Sequence, residues 1–213
     1  MIGIIGFGRF GKLTARYLAE DFEVLVFNRT AKSTGIKEVG ARASSLKNVC
    51  RQKIVIVCVP ISTLKQVLVE IGPLLKKDAV VVDVCSVKVY PSQWMKALLP
   101  ETVSILATHP IFGPDSASDS LTGRKIFLSR IRISKKQYQK IKSYLASKEL
   151  VIIESTPEDH DEQIAISLAL THFIGRTLSE FSADRLNIDS EGYKRLLHIL
   201  DVVEHDTWQL FYD

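Results

Sequence analysis

The chain has 213 residues, of which 46% are hydrophobic and 24% charged, the make-up of a soluble globular protein and not of a disordered or fibrous one. Its net charge of +4 is spread over 28 basic and 24 acidic residues with no basic run longer than a pair, which argues against a nucleic-acid surface and for a small anionic ligand. Cys50, Cys58 and Cys85 lie in or beside apolar runs and read as reduced thiols of a cytoplasmic protein, while no charged leader and no apolar run of ~18–20 residues suggests secretion or a membrane span.

In chain order, "IGIIG", "EVLVFN", "KIVIVCVP", "AVVVDVCS", "VSILATHP", "KIFLSRI" and "LVIIE" read as strands, and helical patterns fall at about 9–20, 61–71, 87–99 and 134–147. Continuous apolar strands alternating with helices predict a parallel sheet covered on both faces. After Glu154 the texture changes. "STPEDHDEQIAISLALTHFIGRTLSEF" opens with a cap candidate, a proline and a cluster of acids, then runs unbroken to Gly175, as one long helix would. A loop near 184–191 leads to a last amphipathic helix. The expected organisation is a domain over 1–154 and a helical unit over 155–213. That second unit is too small to bury its own apolar faces, so it is expected to pack on the first domain and on a second copy of the chain.

The N-terminal "GIIGFGRFGKLTARYLAE" places Gly6, Gly8 and Gly11 in G-x-G-x-x-G spacing between a strand and a helix. Glycines there allow a tight turn, close approach of backbone to a pyrophosphate and close helix–strand contact, and the helix N-terminus offers N–H groups to the anion. The expected fold is therefore α/β, a Rossmann-type doubly wound, mostly parallel sheet with a small C-terminal all-helical dimerisation unit. Arg9 and Phe10 inside the motif, and Val59 and Pro60 at the end of "KIVIVCVP", complete the cofactor-binding set at this end.

The second strand indicates which dinucleotide. An NAD site usually presents a carboxylate some 20 residues on, whereas "VLVFNRTAKS" offers Asn28, Arg29, Thr30 and Lys32. A planar guanidinium can clasp a 2′-phosphate that a carboxylate would repel, so NADP is expected over NAD. The plainer alternative is that Arg29 stacks on adenine or is a solvated charge.

In an open parallel sheet ligands bind at the carboxyl ends of strands, which brings "DVCSVK" and "THPIFGPDS" to one crevice. Pro110 is expected to hold His109 extended and to end its strand there, and Gly113–Pro114 to stiffen the loop beyond. His109 is then either a reactive imidazole at a strand end or a polar residue starting a loop. Asp83 reads as a ligand contact or as a carboxylate capping the next turn, and Lys88 as a substrate or cofactor contact or as a solvated first-turn lysine. Trp94, Phe173, Phe181 and Trp208 read as core or interface residues. Asp159, His160 and Asp161 are consecutive and point to different sides of a helix, so no metal is expected.

"DVCSVK", "THPIFGPDS" and "EDHDEQIAISLALTHFIGR", in this order behind the glycine motif, resemble the prephenate/arogenate dehydrogenase family of tyrosine biosynthesis, and "NIDSEGYKRLLHIL" extends the resemblance, nearest to the short plant-type arogenate dehydrogenases, over almost the whole chain. The resemblance implies that His109 accepts the proton of the ring hydroxyl as hydride leaves C4, with loss of CO2 aromatising the product. An imidazole with an ordinary pKa of ~6.5 suits that base role. It implies that Ser86 holds the hydroxyl and the nicotinamide, and that Asp115 meets the substrate side chain, where it can pair with the ammonium of arogenate. His160 and His172 match the two histidines of the family's long helix. At ~1.5 Å per residue they stand ~18 Å apart, with His172 nearer the substrate and His160 structural. Where microbial prephenate dehydrogenases place an arginine for a substrate carboxylate this chain has His198, with Lys194 and Arg195 as neighbouring cations. The implied function is NADP-dependent oxidative decarboxylation of arogenate by a homodimer joined through its C-terminal helices. Its alternatives are prephenate dehydrogenase activity giving 4-hydroxyphenylpyruvate, or an NADP(H) sensor without turnover. A β-hydroxyacid dehydrogenase would need a lysine on the long helix, and residues 155–183 contain none.

Overall fold

Four-residue apolar runs build the centre of the sheet. Strands β1 (Ile2–Ile5), β2 (Val24–Phe27), β4 (Ile54–Val57) and β5 (Val80–Asp83) are almost entirely buried, as strands with helices on both faces must be. The computed structural model describes residues 1–30, 33–203 and 208. The remaining strands are β3 (Arg42–Ala43), β6 (Ser104–Ile111), β7 (Lys125–Arg132) and β8 (Val151–Glu154), and the sheet order is β3-β2-β1-β4-β5-β6-β7-β8. Its first six strands follow the 3-2-1-4-5-6 order of dinucleotide-binding sheets. All of these pair in parallel. β7 runs antiparallel to β6 and β8 parallel to β7, so the expected mostly parallel sheet is present.

Helices cover both faces. On one, Leu64 and Leu68 of α4 (Ile61–Ile71) and Met95 of α5 (Val89–Leu98) pack on Val57, Val81 and Ile105. On the other, Ala15 of α1 (Arg9–Ala19) and Tyr138 of α6 (Lys135–Ser147) pack on Ile4, Val82, Leu106 and Leu128. Helix α6 starts where its sequence signals a start: Ser134 and Gln137 form a reciprocal capping box. The two-residue β3 and the short helices α2 (Ser33–Glu38) and α3 (Leu46–Cys50) were not anticipated, because elements this short carry no readable periodicity.

The chain divides into two compact units, Met1–Glu158 and Asp159–Asp213. The long helix after Glu154 is present in altered form. It runs as α7 (Pro157–Ile164), a π-helical stretch (Ala165–Ala169) and α8 (Leu170–Glu180). The departure from a single α-helix comes where Ser167 donates to Gln163 O and Thr171 to Ser167 O, side-chain bonds that compete for helix carbonyls and bend the backbone. Helix α9 (Glu191–Val203) follows and packs on α8 at Gly175, where a Cβ would fall 2.3 Å from Val203 Cγ2. No helix among the described residues is long and apolar enough to cross a membrane.

Candidate active site

The chain after β1 turns sharply at Gly6, whose φ of +98° and contact with Cys58 O, 2.1 Å from where a Cβ would stand, admit only glycine. Gly11 meets the turn from the helix side, its would-be Cβ 2.3 Å from Gly6 O. Gly8 is different. It caps α1, and nothing lies within 4 Å of the position its Cβ would take. The cap has no side-chain hydrogen bond, and no acid sits in the first turn of α1. The result is an open glycine cradle at a helix N-terminus, which fits the pyrophosphate of a dinucleotide.

Around this turn the end of β2 is built from side-chain bonds. Asn28 Oδ1 accepts from Phe7 N at 2.9 Å, and Asn28 Nδ2 donates to Thr30 O and Oγ1 at 2.8 and 2.9 Å. Asn28 and Thr30 thus brace the turn, and Arg29 between them is exposed. Val59 lies against Gly6, and Pro60 caps α4. Lys32 lies outside the described residues.

Parallel pairing brings the carboxyl ends of β5 and β6 to the same edge of the sheet as the glycine turn after β1. Pro110 does not end β6: the strand continues to Ile111 and pairs His109 with Phe127 and Ile111 with Lys125 on β7. On the other side the β5 ladder stops at Asp83–Ala107, so beyond Ala107 a residue without an N–H costs no bond on that edge. His109 is therefore an intra-strand residue, 6% exposed, and the reading of it as a loop-starting polar group falls away. Strand alternation puts it on the face of Ile105 and Ala107, the face that α4 and α5 cover. Ser86 is half-buried in the turn from β5 into α5.

Beneath these two residues lies a buried ionic network. Asp83 and Lys88 are fully buried and ion-paired, which overturns the solvated reading of Lys88. Lys88 also donates to Thr108 O, Asp83 accepts from Cys85 N at 3.1 Å and Thr108 N at 3.2 Å, and the Thr108 hydroxyl donates to Asp83 O at 2.5 Å. The signal for it was in the sequence: a carboxylate ending an all-apolar strand requires a buried partner, and Lys88 is the first cation after it. Burial raises the Cys58 thiol to about 12 and pushes Cys85 well above its ordinary value. Neither is a nucleophile at neutral pH.

The loop after His109 is strapped to α1. Arg9 binds both carboxylate oxygens of Asp115 at 2.6 Å, the Phe10 and Phe112 ring centroids are 6.2 Å apart, Tyr17 donates to Ala117 O at 2.9 Å, and Arg16 donates to Ser118 O. These contacts link residues about a hundred positions apart, and local pattern cannot reveal them.

In the second unit His160 is buried with Nδ1 2.7 Å from Asp161 Oδ1. His172 is half-buried on α8, Lys194 is exposed and paired with Glu191 at 2.7 Å, and Arg195 and His198 are exposed on α9. Trp94 packs on the core, whereas Phe173 and Phe181 are exposed. Trp208 lies 4.6 Å from the buried Arg176 guanidinium.

A sequence profile described as "Prephenate dehydrogenase, nucleotide-binding domain" matches residues 27–154. The chain belongs to this family. It is 28% identical to "Arogenate dehydrogenase 2, chloroplastic" of Arabidopsis thaliana over 99% of its own length and 62% of the relative's. It is 33% identical to "Probable arogenate/prephenate dehydrogenase" of Methanocaldococcus jannaschii over 82% of its own length and 41% of the relative's. The chain thus spans less than two thirds of these relatives. A prephenate dehydrogenase from A. aeolicus, solved with hydroxyphenyl propionate and NAD+, shares the fold with a TM-score of 0.79 at 19% identity, covering 98% of this chain and 79% of that one.

Proposed function

We propose that this member of the prephenate dehydrogenase family oxidises arogenate to tyrosine with NADP. The reading is carried by one juxtaposition: Ser86 follows β5 and His109 lies near the end of β6, the neighbouring strand, and the loop beyond His109 is tied to the helix that opens at the glycine cradle. Bound in that cradle, the nicotinamide dinucleotide supplies the hydride acceptor for ring C4. His109 takes the proton of the C4 hydroxyl, and Ser86 orients that hydroxyl. The electron pair of the bond to the leaving carboxylate then enters the ring, CO2 departs, and His109 returns its proton to the phenol oxygen. Exposed Arg29 holds the 2′-phosphate, with Thr30 adding a hydrogen bond and Lys32, two positions further along the sequence, adding charge. Asp115 receives the substrate ammonium. Within the helical unit, His172, Lys194 and His198 are the candidate substrate-binding residues.

A homodimer through the C-terminal helices accounts for the exposed Ile166, Leu170, Phe173 and Leu196, a density of apolar side chains that marks an interface. A reducing compartment, the cytoplasm in our reading, suits three cysteines without a disulfide.

The test is kcat/KM for arogenate and prephenate, each with NADP and NAD. Arogenate with NADP should be the best pair, and His109→Ala should lose at least ~10² in rate. Arg29→Ala should raise KM for NADP about tenfold, the scale of a lost charge-assisted bond, and leave NAD unaffected. A preference for prephenate or for NAD refutes the corresponding half. Tight NADP binding without turnover of either substrate identifies a sensor.

A further inference from the structure

Asp83 and Lys88 contribute nothing to fold stability that two well-packed apolar side chains could not, since a buried ion pair roughly breaks even against its own desolvation. What distinguishes this pair is where its hydrogen bonds end. The carboxylate takes Cys85 N, next to Ser86, and Thr108 N, next to His109. The ammonium takes Thr108 O, and the Thr108 hydroxyl returns to Asp83 O. The β5–β6 ladder ends at Asp83–Ala107, so these bonds continue the connection just where the ladder stops.

We propose that the Lys88–Asp83 clasp is a positioning device, locking the backbone before His109 to the backbone before Ser86 so that imidazole and hydroxyl face the substrate at one set separation. Neither residue is catalytic; both act through His109 and Ser86. This inference rests on the proposed function, because the separation matters only if the two side chains share one substrate.

The decisive variant is Lys88→Met combined with Asp83→Asn, which removes both charges together and avoids the stranded buried charge that either change alone would leave. The amide introduced by Asp83→Asn keeps an oxygen for one of the two backbone N–H groups, which in the wild type bind different carboxylate oxygens. The double variant should stay folded and bind NADP within about threefold of wild type, yet lose at least ~10-fold in kcat. In a His109→Ala background the same pair of changes should cost less than ~2-fold, the non-additivity expected when one group acts through another. A readout free of turnover is the NMR titration of the His109 imidazole in the ligand-free protein, whose midpoint should move by at least ~0.5 unit as its surroundings change. If the double variant does not fold, Thr108→Val, which deletes only the hydroxyl bond, should give a smaller kcat loss and titration shift in the same sense. Unchanged kcat and titration in a folded variant, or a full loss in the His109→Ala background, overturns the clasp. Absence of turnover in the wild-type protein overturns the functional reading instead, and the imidazole titration still decides the clasp.

Discussion

Arg9 Nη2 stands 2.6 Å from both carboxylate oxygens of Asp115, a residue 106 positions later. Both side chains are largely exposed, so the pair is worth ~1 kcal/mol or less and is easily parted. Each partner also has a proposed role elsewhere: Arg9 begins α1 beside the glycine cradle, and Asp115 lies on the loop beyond the candidate base.

Asp115→Asn should therefore change stability by no more than ~1 kcal/mol. KM for arogenate should rise about tenfold, the scale of one charge-assisted contact, while prephenate, which has no ammonium, is little affected. Urea titrations and steady-state kinetics on both substrates check this. Equal losses on the two would remove Asp115 from ammonium recognition.

Gly6 and Gly8 should respond oppositely to a single methyl group. At Gly6 an added Cβ meets Cys58 O at 2.1 Å on a backbone with φ +98°, and Gly6→Ala should destabilise by more than ~2 kcal/mol. At Gly8 the same methyl meets nothing and the φ of −74° suits alanine, so Gly8→Ala should keep stability within ~1 kcal/mol. It should instead weaken NADP binding at least ~10-fold, because the methyl occupies the face where the pyrophosphate approaches. Denaturation midpoints and dinucleotide titrations separate the two effects.

The cysteines predict an alkaline limit. Burial raises Cys50 to about 11 and Cys58 to about 12, and Cys85 also lies well above its ordinary value. The unfolded chain releases these thiol protons first, so it binds fewer protons than the folded state in this range. Stability contributed by the three groups is complete below pH ~9 and is lost as pH rises toward 11–12. Urea midpoints should fall across that window, and less steeply in a variant with all three changed to alanine. At pH 8 a thiol reagent should label the native protein far more slowly than the unfolded chain.

Much of this protein was legible in its residues. Runs such as VVVD and IVIV announce strands covered on both faces, and the glycine spacing announces the cradle, because these signals arise from local sterics and from the period of the backbone. Three-dimensional structure decided the remainder. It carried β6 past Pro110, since the proline faces an edge where the ladder has already ended. It buried Lys88, since a carboxylate at the end of a fully covered strand must be neutralised where no water reaches. It joined Arg9 to Asp115 and α1 to the loop beyond His109 across about a hundred residues. Such contacts depend on which strands end side by side, and that is a property of the assembled sheet, not of any one stretch of chain.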